Sequence, residues 1–204
     1  MKLIWLFMAL LLTAAKFAGF EVKSNGPQEF DAGTSIFTLP KGGTLSDNKN
    51  KISLEAAFVQ YREGEFIKAR QASWKSEEGE FRAEGLEYAN KTELLQLKTM
   101  QYSSKDFKGL RAETATGWMG EDVVRLQGSV RSEDPKLEAN LAIVDTERSQ
   151  ALVVGTFKYQ QGAFSANGNR ADSTLLISFN SGKVKADSKV PADVLARLRV
   201  YANK

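Results

Sequence analysis

The feature that most constrains this chain is a triplet, a large apolar residue, any residue, then alanine, returning at a near-constant interval. Leu54-Glu55-Ala56, Phe81-Arg82-Ala83, Leu110-Arg111-Ala112, Leu137-Glu138-Ala139 and Phe164-Ser165-Ala166 begin 27, 29, 27 and 27 residues apart. A small residue follows 18 positions after each start, at Ala72, Thr99, Gly128, Gly155 and Gly182. Two positions further, Trp74, Val130, Phe157 and Val184 restore a large apolar group, and Gln101 departs from the pattern. Self-similarity at one period marks stacked supersecondary units, each burying its apolar face only with its neighbours' help.

Within a unit the alternation has period two, the mark of a half-buried strand. Leu110, Ala112 and Thr114 share one face, and Arg111 and Glu113 the other; in the next stretch Val124, Leu126, Gly128 and Val130 oppose Arg125, Gln127, Ser129 and Arg131. Turn-rich breaks separate the units at Glu77–Glu80, Ser104–Gly109, Ser132–Lys136 and Gln160–Ala163. Shorter breaks halve them at Arg62–Gly64, Asn90–Thr92, Met119–Glu121 and Thr146–Arg148. Each unit therefore reads as two strands of roughly 7–9 residues. Five units give about ten strands, and Gly33–Leu45 adds one or two at the start.

Amphipathic strands must cover their apolar faces. The expected fold is all-β: an elongated, twisted β-jellyroll of two facing antiparallel sheets, each unit giving a strand to both. Its open ends leave unpaired backbone groups. The final segment, Pro191–Lys204, changes character. Val194, Leu195, Leu198 and Tyr201 fall on one helical face; the same stretch also alternates, and a short helix is the reading taken here.

The triplet column has two readings. It is either plain core, or the wall of a slot in which each alanine leaves space beside a large neighbour. On the second reading the groove is lined by Leu54, Ala56, Phe81, Ala83, Leu110, Ala112, Leu126, Leu137, Ala139, Phe157, Phe164 and Ala166, with the small-residue column opposite. Such a slot suits an alkyl chain, whose burial is worth about 0.8 kcal/mol per methylene. The stretch Thr174, Leu175, Leu176, Ile177, Ser178 and Phe179 has no charge and no proline. It is expected at or next to an exposed edge, as a docking strand for a partner.

Composition narrows the chemistry. The chain has no cysteine and no histidine, so disulfides, thiolate metal sites and serine–histidine or cysteine–histidine catalysis are excluded. Basic and acidic residues number 28 and 25 and alternate along the chain, leaving no nucleic-acid stripe. Charged triplet positions vary from unit to unit, unlike the repeated carboxylates of a polysaccharide-degrading solenoid. The acidic cluster Glu77, Glu78, Glu80 and Glu84 lacks calcium-loop spacing and reads as a solvated turn. No enzyme activity, metal or cofactor is expected.

The first 20 residues form a targeting segment. Lys2 precedes an uncharged run from Leu3 to Ala15, shorter than the about 20 residues that span a bilayer. Thr13-Ala14-Ala15 offers a cleavage site before Lys16, while Phe17–Phe20 extends the apolar stretch as an uncleaved anchor would require. Both readings place the remainder, a main domain over residues 21–190 and a tail over 191–204, outside the cytoplasm.

The repeated Leu/Phe-x-Ala strand, the later Leu-x-Gly-x-Val strand in "RLQGSVR" and "VVGTFKY", and the export segment together resemble the lipopolysaccharide-export bridge family, the LptC, LptA and OstA-like domains. The resemblance covers roughly residues 30–190. It implies a V-shaped β-jellyroll whose interior carries lipopolysaccharide acyl chains across the periplasm. It implies as partners an inner-membrane ABC transporter and another β-jellyroll bridge protein joined edge to edge. Size, the single apolar segment and the terminal "VPADVLARLRVYANK" look most like the LptC type; the short apolar run and the cleavage site fit the LptA type.

Overall fold

The computed structural model describes residues 21–47, 52–76, 79–180 and 183–204. Residues 1–20, where a targeting segment is expected, and Glu77, Glu78 and Gly182 lie outside the described residues. The architecture is all-β and antiparallel, with 17 strands in one hydrogen-bonded sheet and a single α-helix among the described residues. The second and third sequence repeats supply two strands each, as the alternation predicts; the first, fourth and fifth supply three, one strand of each being broken in two. The middle of the chain is a meander of β7 (Phe66–Ser76), β8 (Gly79–Ala89), β9 (Leu94–Ser104), β10 (Leu110–Trp118), β11 (Val123–Glu133) and β12 (Lys136–Asp145). Each strand pairs with the next.

These strands run to 11 residues, longer than expected, because each one bends and serves both layers. The bends are marked by left-handed backbone: Gln71 at φ 51°, Thr99 at 49°, Gly128 at 77°, Ser129 at 45° and Gly155 at 87°. Pairing registers shift at the same level, between Arg111 and Thr114 and between Gln127 and Val130. Hydroxyls steady the turn of the sheet: Thr99 donates to Glu84 at 2.9 Å and Ser129 to Glu113 at 2.6 Å. This corrects the expectation that the small-residue column lines a slot. Ala72 does sit opposite Ala83, but Thr99, Gly128 and Gly155 are at the fold line. Glycine recurs there because an L side chain at positive φ costs about 1–2 kcal/mol.

The bends divide the sheet into two facing halves. The first half ends in the turns around Gly64, Lys91, Gly120 and Glu147, the second in those around Phe107, Pro135 and Gly162. The first set of turns is itself laddered. The Met119 amide donates to the Glu93 carbonyl, Thr146 to Asp122 and Phe179 to Ser149, at 2.9, 2.9 and 3.0 Å.

At the N-terminal end the halves separate into different strands. In the second half β1 (Glu21–Ser24) pairs with β4 (Gly43–Asp47), and β4 with β5 (Ile52–Ala56). In the first half β2 (Glu29–Asp31) pairs with β3 (Ile36–Leu39), and β3 with β6 (Phe58–Arg62). Both β5 and β6 lie on β7. The C-terminal end mirrors this. Two strands lie on β12: β13 (Gln150–Val154), which leads to β16 (Thr174–Asn180) and β17 (Lys183–Asp187), and β14 (Phe157–Gln161), which leads to β15 (Phe164–Gly168).

The stretch Thr174–Phe179 is therefore not the edge. Ile177 pairs with Ala151 on one side and Ala186 on the other. It lacks charge because it needs no protection; β17 takes the edge, and it carries Lys183, Lys185 and Asp187, the usual defence of an edge strand.

Helix α1 (Ala192–Leu198) continues into a helical turn through Ala202 and lies on the outer surface of the first half. The predicted face is the buried one: Val194, Leu198 and Tyr201 pack on Val123, Ile143, Leu152 and Leu176. The cross-strand row beneath explains the site. It is polar from Gln60 through Lys68, Glu87, Gln96, Thr116 and Arg125, then turns apolar at Ile143, Leu152 and Leu176. Arg197 closes the contact by pairing with buried Asp145, and the Tyr201 hydroxyl donates to Glu121.

Candidate ligand groove between the sheet halves

The inner faces of the two halves are built from cross-strand rows. In the first half one row runs Val59, Ala69, Leu86, Leu97, Ala115, Leu126, Ala142, Val153, Leu175 without a polar residue. In the second half Leu54 pairs with Trp74, Trp74 with Phe81, Phe81 with Tyr102 and Tyr102 with Leu110. Further along, Leu137 pairs with Tyr159, and Tyr159 with Ala166. The residues between the triplet members, Glu55, Arg82, Arg111 and Glu138, face solvent, as the alternation requires.

The triplet alanines do not form an empty line. Ala83 and Ala112 flank Met100 on either side, and Ala139 lies between Val130 and Phe157. Large cross-strand partners thus fill the space the alanines leave, in keeping with close packing of interiors. Among the described residues a cavity of about 90 Å³ stays open between the halves. Leu110, Leu126 and Leu137 line it, with Met100, Tyr102, Val124, Ala142, Val153, Ile177 and Phe179. Leu54, Ala56, Phe81, Ala83, Ala112, Ala139 and Phe157 are buried in the surrounding core, away from the cavity wall.

Phe164 is 40 % exposed at the end of the second half, edge-on to Tyr159 with ring centroids 6.0 Å apart; Ala166 is half-buried. Both sit on β15, which pairs on one side only among the described residues, so no next strand there covers their inner face. The opposite end shows the same exposure. Phe30 on β2 is 55 % exposed and begins an aromatic ladder with Phe37 at 4.6 Å, which stacks on Tyr61 at 5.1 Å. The cavity residues on β13 and β16 escaped the triplet pattern. Their signal was the alternation in the second strand of each unit.

The interior carries hydroxyls but no charge on its rows. Burial pushes the Tyr159 phenol up to about 12, with Asp134 adding to the effect, and its hydroxyl donates to Gln161 at 2.8 Å. Burial also raises Tyr88, with Glu93 adding to it, and Tyr61, where a bond to Gln28 works against the rise. Ser104, Asp106 and Thr146 stand at the cavity rim. Trp74, 4 % exposed, keeps its indole Nε1–H inside the apolar layer without an acceptor among the described residues. Such a group costs about 1–3 kcal/mol.

Two larger hollows, of about 470 and 280 Å³, lie on the outer faces. Lys68, Glu87, Gln96 and Lys98 wall one; Arg82, Gln101, Lys108, Arg111 and Glu133 wall the other. Their charged walls suit water. The inner cavity is the smaller and the drier, and it is the one an apolar ligand would seek.

No family model and no curated protein matches the chain. Among solved structures it is similar to the crystal structure of LptH, the LptA homologous periplasmic component of the conserved lipopolysaccharide transport device from Pseudomonas aeruginosa. That match has 12% sequence identity, covers 84% of this chain and 95% of that chain, and has a TM-score of 0.32.

Proposed function

We propose that this chain is a periplasmic lipid-transfer component of the lipopolysaccharide-export kind. It shields acyl chains between its sheet halves and passes them from an inner-membrane transporter toward the outer membrane, without chemistry of its own. The observation that carries this reading is the pair of apolar inner surfaces, continuous over successive strands and ending in exposed Phe30 and Phe164. A closed globular core has no reason to present aromatic side chains of its inner face at both ends. Partners add at the ends by strand pairing: β1 and β2 at one, β15 at the other, each paired on one side only among the described residues. If the N-terminal segment stays uncleaved the protein is membrane-tethered in the manner of LptC; a mature chain from Lys16 makes it a soluble bridge of the LptA kind.

The second reading is a scaffold that holds no lipid, and the cavity size favours it. About 90 Å³ is well below the roughly 300 Å³ at which small-molecule sites begin, so the lipid reading requires the halves to part. Native mass spectrometry of the exported protein separates the two. An acylated glycolipid travelling with the folded chain is the expected result, and reproducibly lipid-free protein from lipid-rich extracts would favour the scaffold.

A further inference from the structure

Trp74 presents a feature that packing alone does not account for. A tryptophan N–H is a donor with no acceptor function, and buried donors are nearly always paired. Here it lies in the core of the second half, between Leu54 and Phe81 in the cross-strand row, with no acceptor among the described residues. The row leads from there to Tyr102, which lines the cavity. Two strand spacings, roughly 10 Å, separate Trp74 from that wall along one continuous inner face.

The reading of the groove as an acyl-chain site gives this donor a partner, and the inference rests on that reading. An alkyl chain laid along the row is apolar throughout its length. The polar atom it brings is at its attachment, an ester or amide carbonyl, which accepts and does not donate. We infer that the Trp74 indole N–H is the interior hydrogen-bond donor for the acyl carbonyl of the bound lipid, fixing how deep the chain sits. The match is one of kind: a donor-only group in a dry layer meets an acceptor-only group that must also leave water. A hydroxyl or a free carboxylate would leave its own requirements unmet there.

The test compares two probes that differ only in the carbonyl, monopalmitoylglycerol and hexadecylglycerol ether, titrated below their micellar concentrations into the full exported chain. The ester should bind roughly fivefold tighter, the worth of one neutral hydrogen bond. Trp74→Phe should abolish that preference, bringing the ester's affinity down to the ether's. Trp74→benzothienylalanine, which keeps the bicycle and lacks the N–H, gives the same answer if the phenylalanine variant folds poorly. Isotope-edited infrared spectra should place the bound ester carbonyl at lower frequency in the wild type than in either variant. An ester preference that survives in both variants overturns the role of Trp74 and leaves the groove standing. Failure of both probes to bind the wild type removes the groove reading and this inference with it.

Discussion

Phe107 and Phe179 meet edge-on with ring centroids 5.2 Å apart, and they come from opposite halves of the sheet. Phe107 rides on the turn between β9 and β10; Phe179 is near the end of β16, where its amide donates to the Ser149 carbonyl of a first-half turn. Both are buried and both line the cavity, so their contact joins the two layers across its rim. The turn bearing Phe107 is held firmly. Ser104 Oγ accepts from the amides of Asp106 and Phe107, and the Lys108 amide donates to the Asp134 carbonyl at 2.8 Å. Parting the halves on this side therefore means breaking the ring contact.

Phe107→Ala should enlarge the cavity and increase uptake of a solvatochromic alkyl dye severalfold. The same variant should lose about 3–5 kcal/mol of stability in urea, the usual range for a phenylalanine truncated in a core. Loss of stability without gain in dye uptake would make the pair ordinary packing.

The fold line makes a paired prediction. Gln71 holds φ at 51°, so Gln71→Gly should stabilise the protein by about 1 kcal/mol. Gly155 holds φ at 87°, and an added Cβ there meets nothing within 4 Å, so steric contact does not confuse the result. Gly155→Ala should cost about 1 kcal/mol through the backbone alone. Urea midpoints with unchanged slopes would measure both.

Ile177 is 1 % exposed and paired on both sides. Ile177→Pro should therefore lower stability by about 3 kcal/mol or more, through a lost donor and a clash in an internal strand. Circular dichroism melting is the measurement. A variant of wild-type stability that failed only to bind a partner domain would restore Thr174–Phe179 as a docking edge.

The tail carries a pH dependence. Burial, with Glu121 as acceptor and as a nearby charge, pushes the Tyr201 phenol from its ordinary value of 10.0 to about 12. A raised value in the folded state favours the protonated phenol, so this contribution to stability is fully present below pH 10 and fades as pH rises toward 12. The difference in urea midpoint between wild type and Tyr201→Phe should therefore shrink over that window and be flat between neutrality and pH 10. A constant difference throughout would mean that the hydroxyl does not hold the tail.

Much of this architecture was legible in the chain itself. The period of the triplets, the alternation within each strand, the hairpin breaks and the helical face of Val194, Leu198 and Tyr201 all follow from local rules. Those rules are side chains alternating across a strand, turn residues at the breaks and a 3.6-residue helical repeat. What only the tertiary structure decided depends on which strands lie side by side. The sequence shows Ala83 and Ala112 as small residues; pairing alone puts Met100 between them and fills the slot. It shows Gly128 and Gly155 as small; the backbone turning at a shared level makes them a fold line. It shows Thr174–Phe179 as uncharged, which describes an exposed docking edge as well as a protected interior strand. The lysines of β17 resolve the choice once they are seen beside it. Periodicity along the chain is set by covalent geometry and can be read there, whereas register between strands distant in sequence is set by which packing fills space, and only the folded molecule holds that answer.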